Sequence, residues 1–267
     1  MGPQRELRRR ARRSLRGRLP AAAALFLLWA LAWTAADLAD RASFRLLELS
    51  LGRQPEEGAV LSLAAFLATL TALFLRLVLL TPLRAGAVAW FDGLAGCRQR
   101  PLTTLFWPFG NRVWLRSLGV RLYAGGATGA VALLPLSALG SVLWLNEGRL
   151  AALTPEDRAL WAALLGTAAA GWLLAAWTYG KRFSMANFLL GPDHGCTARE
   201  AVALSVRCTR GHRWQLVWMD ITFFPWFASC LLVAPAFYVV PYYAACRVEY
   251  SRYLYDRWRH RRRGVAN

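Results

Sequence analysis

Apolar residues in this chain gather into runs instead of alternating with polar ones. Six runs stand out, at 19–36, 59–80, 119–145, 158–179, 214–233 and 237–253, each with few charges. Most approach the roughly 20 helical residues needed to cross ~30 Å of hydrocarbon. An amphipathic helix would show only a stripe, and a half-buried strand would alternate. The pattern predicts an all-α polytopic membrane protein with about six transmembrane helices. Taken in pairs, the runs read as three hairpins in a single transmembrane domain, 19–256. Basic segments at 1–18 and 257–267 flank it.

Each hairpin follows a shorter amphipathic stretch. In 1–18, Leu7, Ala11 and Leu15 recur four apart among eight arginines. That spacing predicts an interfacial helix held to anionic lipid by about 1 kcal/mol per basic residue; a solvated basic tail is the bland alternative. The stretch 83–97 reads the same way. The third, 197–210, has a written start: Thr197 and Glu200 form a capping box, in which hydroxyl and carboxylate each satisfy an amide at the helix start. Ala201, Leu204, Ser205 and Cys208 make one face, while Arg199, Arg207 and Arg210 line another. Arg207, Arg210 and Arg213 are the expected contacts to lipid phosphate. The dipeptides Arg5-Glu6 and Arg16-Gly17 are spaced as Arg199-Glu200 and Arg210-Gly211, a thin sign of a repeated unit.

Breaks follow from local chemistry. The first run could be read as a cleaved signal peptide, but it holds Trp29 and Trp33 and is long for that role. Residues 37–58 read as an acid-leaning loop with a short helix at 43–51, and Thr81-Pro82 as the stop of the second span. Trp107-Pro108-Phe109-Gly110 reads as an aromatic turn. Gly125 and Gly129 offer a small face for close helix packing. Pro135, Pro225 and Pro241 should kink their helices.

Charge orients the whole. The formal net charge of +18 could point to nucleic acid, but the arginines sit between apolar runs and not on a soluble basic face, so no nucleic-acid partner is expected. With both termini inside, the inner segments hold eight basic residues in 1–18, five in 81–118, six in 180–213 and seven from 247 onward, 26 of the 33. The outer loops hold five basic and eight acidic residues. That asymmetry is the positive-inside pattern, and it predicts cytoplasmic termini with anionic lipid at the inner face.

Candidate chemistry is sparse. Asp220 and Arg76 each interrupt a span about one to two turns from its expected inner end, so an intramembrane charge pair is the sharpest candidate site. Snorkelling of Arg76, with Asp220 paired to Arg121 or Arg213, is the structural alternative. His194, Cys196, Cys208 and His212 could be imagined around zinc, but Gly211 breaks the helix that would align the last two, and no metal or cofactor is expected. Five cysteines without a C-x-x-C describe no disulfide framework. No G-x-S-x-G, H-E-x-x-H or P-loop pattern occurs, so no enzyme activity is expected.

The residues Tyr179, Met185, Asp193, Glu200, Ser205 and Gly211, then Trp226, Pro241-Tyr242 and Tyr253, resemble an uncharacterised bacterial family, domain of unknown function 975. The beginning, Arg5-Glu6-Leu7 through Ser14-Leu15-Arg16-Gly17, is similar to that family's start. The family in turn looks distantly similar to the membrane domain of some glycerophosphodiester phosphodiesterases. Pro225 and Asp220 depart from the pattern. The resemblance implies a multi-pass protein of the bacterial inner membrane without enzymatic chemistry. The leading functional expectation is a membrane component that organises lipid or a protein partner through its basic cytoplasmic face. A transporter of lipid or small solute, using broken helices around Asp220 and Pro225, comes second, and a membrane enzyme third. The charge split makes one direct prediction: an impermeant thiol reagent added outside intact cells leaves Cys196 unlabelled, and ready labelling refutes the topology.

Overall fold

The computed structural model describes residues 3–50, 58–110, 113–146 and 154–265. Every element among them is helical: α1 (Pro3–Leu15), α2 (Leu19–Ser50), α3 (Gly58–Ala95), α4 (Trp107–Gly110), α5 (Val113–Leu145), α6 (Pro155–Gly180), α7 (Ala186–Leu189), α8 (Ala198–Thr209), α9 (Arg213–Ser229) and α10 (Ala236–Val265). Short 3-10 turns at Leu102–Phe106, Lys181–Phe183 and Cys230–Leu232 join them. Five stretches are long and apolar enough to cross a membrane: Leu19–Ala39, Thr69–Ala95, Val113–Leu145, Pro155–Leu189 and Arg213–Leu232. The sixth run, 237–253, lies in α10 and is not among them.

Several helices run further than expected. Where a loop is predicted at 37–58, α2 continues to Ser50. Asp37 and Arg41 lie one turn apart and form an ion pair of 2.6 Å, so these charges fit a helix as well as a loop. Residues 51–57, with Arg53, Glu56 and Glu57 of that loop, lie outside the described residues, as do Arg112 and the loop residues 147–153. Thr81-Pro82 does not stop the second span either: α3 passes through Pro82 to Ala95, so 83–97 forms no separate helix up to that point. A proline inside a helix costs about 3 kcal/mol. Here Pro82 is fully buried and Thr81 and Leu83 are buried beside it, so packing offsets the loss. Pro225 likewise lies inside an unbroken α9. Gly125 and Gly129 face open space, with nothing among the described residues within 4 Å of an added Cβ. Instead α5 meets α6 where Trp172 Nε1 donates to the Val131 carbonyl at 2.8 Å and Thr128 closes on Gly180.

The core gathers at one end of the bundle, the end that carries most arginines. Leu7, Ala11 and Leu15, predicted to meet lipid, are buried against protein, where α1 packs on α10 and α3. The same stripe suits either environment, and protein won because α10 offers an apolar face. Gln4 donates to the Gln215 carbonyl at 3.2 Å, and Arg8 bonds the Thr222 hydroxyl while lying 5.2 Å over the Phe223 ring. Across the bundle, Arg252 of α10 reaches Asp92 of α3, donating to its carbonyl oxygen at 2.9 Å and to Oδ1 at 3.3 Å. Trp90 Nε1 donates to the Arg100 carbonyl at 3.0 Å, and the Arg100 guanidinium returns a bond to the Ala89 carbonyl at 2.8 Å.

One glycine marks the tightest approach. A Cβ at Gly86 would run into the backbone carbonyl of Leu105, so only hydrogen lets the 102–106 turn sit on α3. Gly86→Ala is expected to destabilise the protein by about 1–3 kcal/mol. A melting temperature in detergent equal to that of the wild type would show that the turn can move aside.

Candidate functional site: a charged cluster and the basic end

Asp220 lies two turns into α9, among Met219, Ile221 and Phe223, and only 12 % of its side chain is exposed. A carboxylate in such a place needs partners. It has two. Lys181, at the end of α6, forms an ion pair with Oδ2, and the Tyr243 hydroxyl of α10 donates to Oδ1 at 2.7 Å. The Lys181 ammonium also lies 4.8 Å over the Trp177 ring, one turn earlier in its own helix. Three helices thus converge on one carboxylate.

Arg76 is not among these partners, which corrects the pairing expected from sequence. It bonds Asp37 of α2 at 2.8 Å. Depth explains the difference. The Arg252–Asp92 contact sets α3 beside α10, and counting back at about 1.5 Å per residue puts Tyr243 level with Leu83. Arg76 then stands about 10 Å further from the basic end than Asp220. The expected equal depth assumed a span ending at Thr81, and α3 does not end there. Neither Arg121 nor Arg213 replaces it at Asp220. Lys181 and Tyr243 were visible in the sequence only as one surface cation and one member of a tyrosine pair. Their roles need the helix register, which local pattern does not contain.

The 197–210 segment forms the discrete helix α8, and its start has both halves of the capping box. The Thr197 amide donates to Glu200 Oε2 at 2.9 Å, and the Glu200 amide to Thr197 Oγ1 at 3.4 Å. These bonds hold the exposed Glu200 carboxyl below its usual range. Ala201, Ser205, Cys208 and Thr209 face inward. Ser205 is the fastener: its hydroxyl donates to the Arg182 carbonyl at 2.6 Å and accepts from the Met185 amide at 3.2 Å. The opposite face leaves Arg207 and Arg210 exposed, with Arg213 half-buried just beyond.

Between α7 and α8 the chain is pinned by charge and rings. Asp193 takes Arg98 at 2.6 Å and Arg100 at 2.8 Å; burial acts to raise its carboxyl, but the two guanidiniums hold it below its usual range. His194 lies between Phe188 and Tyr255, at 4.7 and 4.9 Å between ring centroids. Burial pushes this imidazole below its ordinary value, against the pull of Asp92, Asp193 and Asp256, with Arg252 also disfavouring the cation. Cys196 touches the His194 carbonyl at 3.6 Å, and burial pushes the Cys208 thiol up to about 11. His212 bonds Gln215 at 3.1 Å. No three His, Cys, Asp or Glu side chains gather as a metal site among the described residues.

With five such helices and no other kind of element among the described residues, the class defined is an all-α, polytopic membrane protein. Residues 164–257 match the model of a family described as a protein of unknown function (DUF975), and Lys181, Asp220 and Tyr243 lie within that span. No curated protein and no solved structure matches the chain.

Two predictions follow from these contacts. Removing one member of a buried ion pair leaves the other uncompensated, at about 3–5 kcal/mol. Asp220→Asn and Lys181→Met should each lower the melting temperature, and the double variant should lose less than their sum. Additive losses, or coupling to Arg76→Gln instead, would contradict the cluster. The imidazole gives a pH dependence. Its pKa is lower in the folded than in the unfolded chain, so the unfolded state takes the proton first as pH falls. Stability is therefore fully present above the ordinary histidine value and declines below it. His194→Phe, which keeps the ring stack, should flatten that step in a thermal-melt pH series; an unchanged step would mean that another group titrates.

Proposed function

We propose that the protein is a non-enzymatic component of the bacterial inner membrane that gathers anionic lipid, or a protein partner, at a basic cytoplasmic face. The observation that carries this reading is the seating of α1. Its apolar stripe is used up against α10 and α3, which leaves Arg5, Arg9, Arg12, Arg13 and Arg16 facing outward. Arg207 of α8, Arg210 just after it, and Arg257, Arg259, Arg261 and Arg262 of α10 add to that surface. Each basic residue held near an anionic leaflet contributes about 1 kcal/mol, so a cluster of this size favours anionic headgroups strongly.

In this reading α10 is a sixth crossing, shielded from lipid by its neighbours, and the crossings pair as three hairpins: α2 with α3, α5 with α6, α9 with α10. Each pair is in contact. Both termini are then cytoplasmic. Transport through a broken helix at Asp220 and Pro225 has less support, because α9 runs unbroken through Pro225 and Asp220 is held by Lys181 and Tyr243.

The test is thermal stability of the purified chain in detergent with phosphatidylglycerol or phosphatidylcholine added. Phosphatidylglycerol should raise the melting temperature more, and high salt should shrink the difference. The triple variant Arg207→Gln, Arg210→Gln, Arg213→Gln should lose a large part of it. Equal effects of the two lipids would defeat the proposal.

A further inference from the structure

A second cationic feature lies where α2, α3 and α10 meet, apart from the arginines of α1, α8 and the end of α10; Arg84 is exposed at its mouth and Arg247 is half-buried. A part-open pocket of about 390 Å³ is bounded by the first turns of α2, the second half of α3, the 184–188 turn and α10. Its walls are largely apolar, with Phe26, Trp29 and Phe91 among them. Into this space come two guanidiniums, Arg84 from α3 and Arg247 from α10, together with Ser184, Asn187 and Ser251. Among the described residues neither arginine has a carboxylate partner. Arg247 lies 5.7 Å over the Tyr243 ring, whose hydroxyl is bonded to Asp220. Asp220, the carboxylate that Tyr243 bonds, is already taken by Lys181. The Ser184 hydroxyl is buried and makes no hydrogen bond.

Two like charges at one largely apolar pocket are stabilised by an anion placed between them. Guanidiniums present paired donors that match phosphate oxygens, and a serine hydroxyl adds a further donor. The aromatic wall requires an apolar continuation of the ligand. We infer that this pocket binds the headgroup of a phosphomonoester lipid, with phosphate between Arg84 and Arg247 and the start of its apolar part against Phe26, Trp29 and Phe91. The charge decides among phosphate lipids. A phosphomonoester carries about −1.5 to −2 at neutral pH, which balances two guanidiniums, whereas a phosphodiester carries a single charge. The pocket size lies within the range of small-molecule sites, room for a headgroup and the root of its chains.

This site is distinct from the surface arginines, so the two readings fail separately. The experiment uses the full chain in detergent and measures binding of phosphatidic acid, phosphatidylglycerol and phosphatidylcholine by native mass spectrometry, with glycerol 3-phosphate as a soluble competitor. Phosphatidic acid should bind about tenfold or more tightly than phosphatidylglycerol. Arg84→Gln and Arg247→Gln should each abolish that preference, while the triple surface variant at Arg207, Arg210 and Arg213 keeps it. No preference, or a preference unchanged in the pocket variants, overturns the inference. Displacement of phosphatidic acid by equimolar glycerol 3-phosphate would mark a site for soluble phosphate and overturn the lipid assignment. Should the pocket variants fail to fold, brominated phosphatidic acid offers an independent reading in folded protein. It should quench a component of tryptophan fluorescence that is missing in Trp29→Phe, and quenching identical in the two proteins overturns the inference.

Discussion

The structure depends on how a polar helix is kept away from hydrocarbon. α10 carries Arg247, Glu249, Arg252 and Asp256 in the turns after its apolar start, and it is the long helix least suited to face lipid. Unpaired charge at membrane depth is costly, so the helix must be covered and its charges met. The fold does both. α1, α2, α3, α8 and α9 all touch α10, and its inward residues, from Val239 through Cys246 and Tyr250 to Leu254, are almost fully buried. Its polar groups are answered in turn: Tyr243 by Asp220, Tyr250 by Gln215, Arg252 by Asp92. By contrast α5 and α6 expose most of their apolar surface, as helices with only lipid to face would.

That arrangement gives the molecule two unlike regions. At the basic end, short elements, ion pairs and ring stacks make a packed core, and Ser205 and Asp193 tie it across loops that a lipid environment could not satisfy. Away from it, α2 and α3 are joined by the Asp37–Arg76 pair at a level well above Asp220. The Lys181–Asp220 and Arg76–Asp37 pairs each join two helices, whereas Arg84 and Arg247 share one pocket.

Much of this was readable from residue order, and the failures share a cause. The apolar runs marked the long helices because length and hydropathy are local properties. The start of α8 was equally plain, since Thr197 and Glu200 cap it within one turn. What local pattern could not give was register. Asp37 and Arg41 fit a loop or a helix, and Pro82 reads as a stop unless its burial is known. With a span ending at Thr81, Arg76 falls at the wrong depth and pairs with the wrong carboxylate; α3 runs on to Ala95. The destination of Leu7, Ala11 and Leu15 was ambiguous for a different reason. An apolar stripe fits lipid and protein equally, and only the presence of α10 beside it decides.

The central claim, that α10 is shielded by the rest of the bundle, can be measured without altering the chain. An apolar carbene precursor dissolved in the bilayer marks whatever side chains meet hydrocarbon when it is photolysed around the reconstituted protein. Peptides from α5 and α6 should take up label heavily, while those covering 239–254 should take up little. Labelling of 239–254 as heavy as that of α5 would contradict the account.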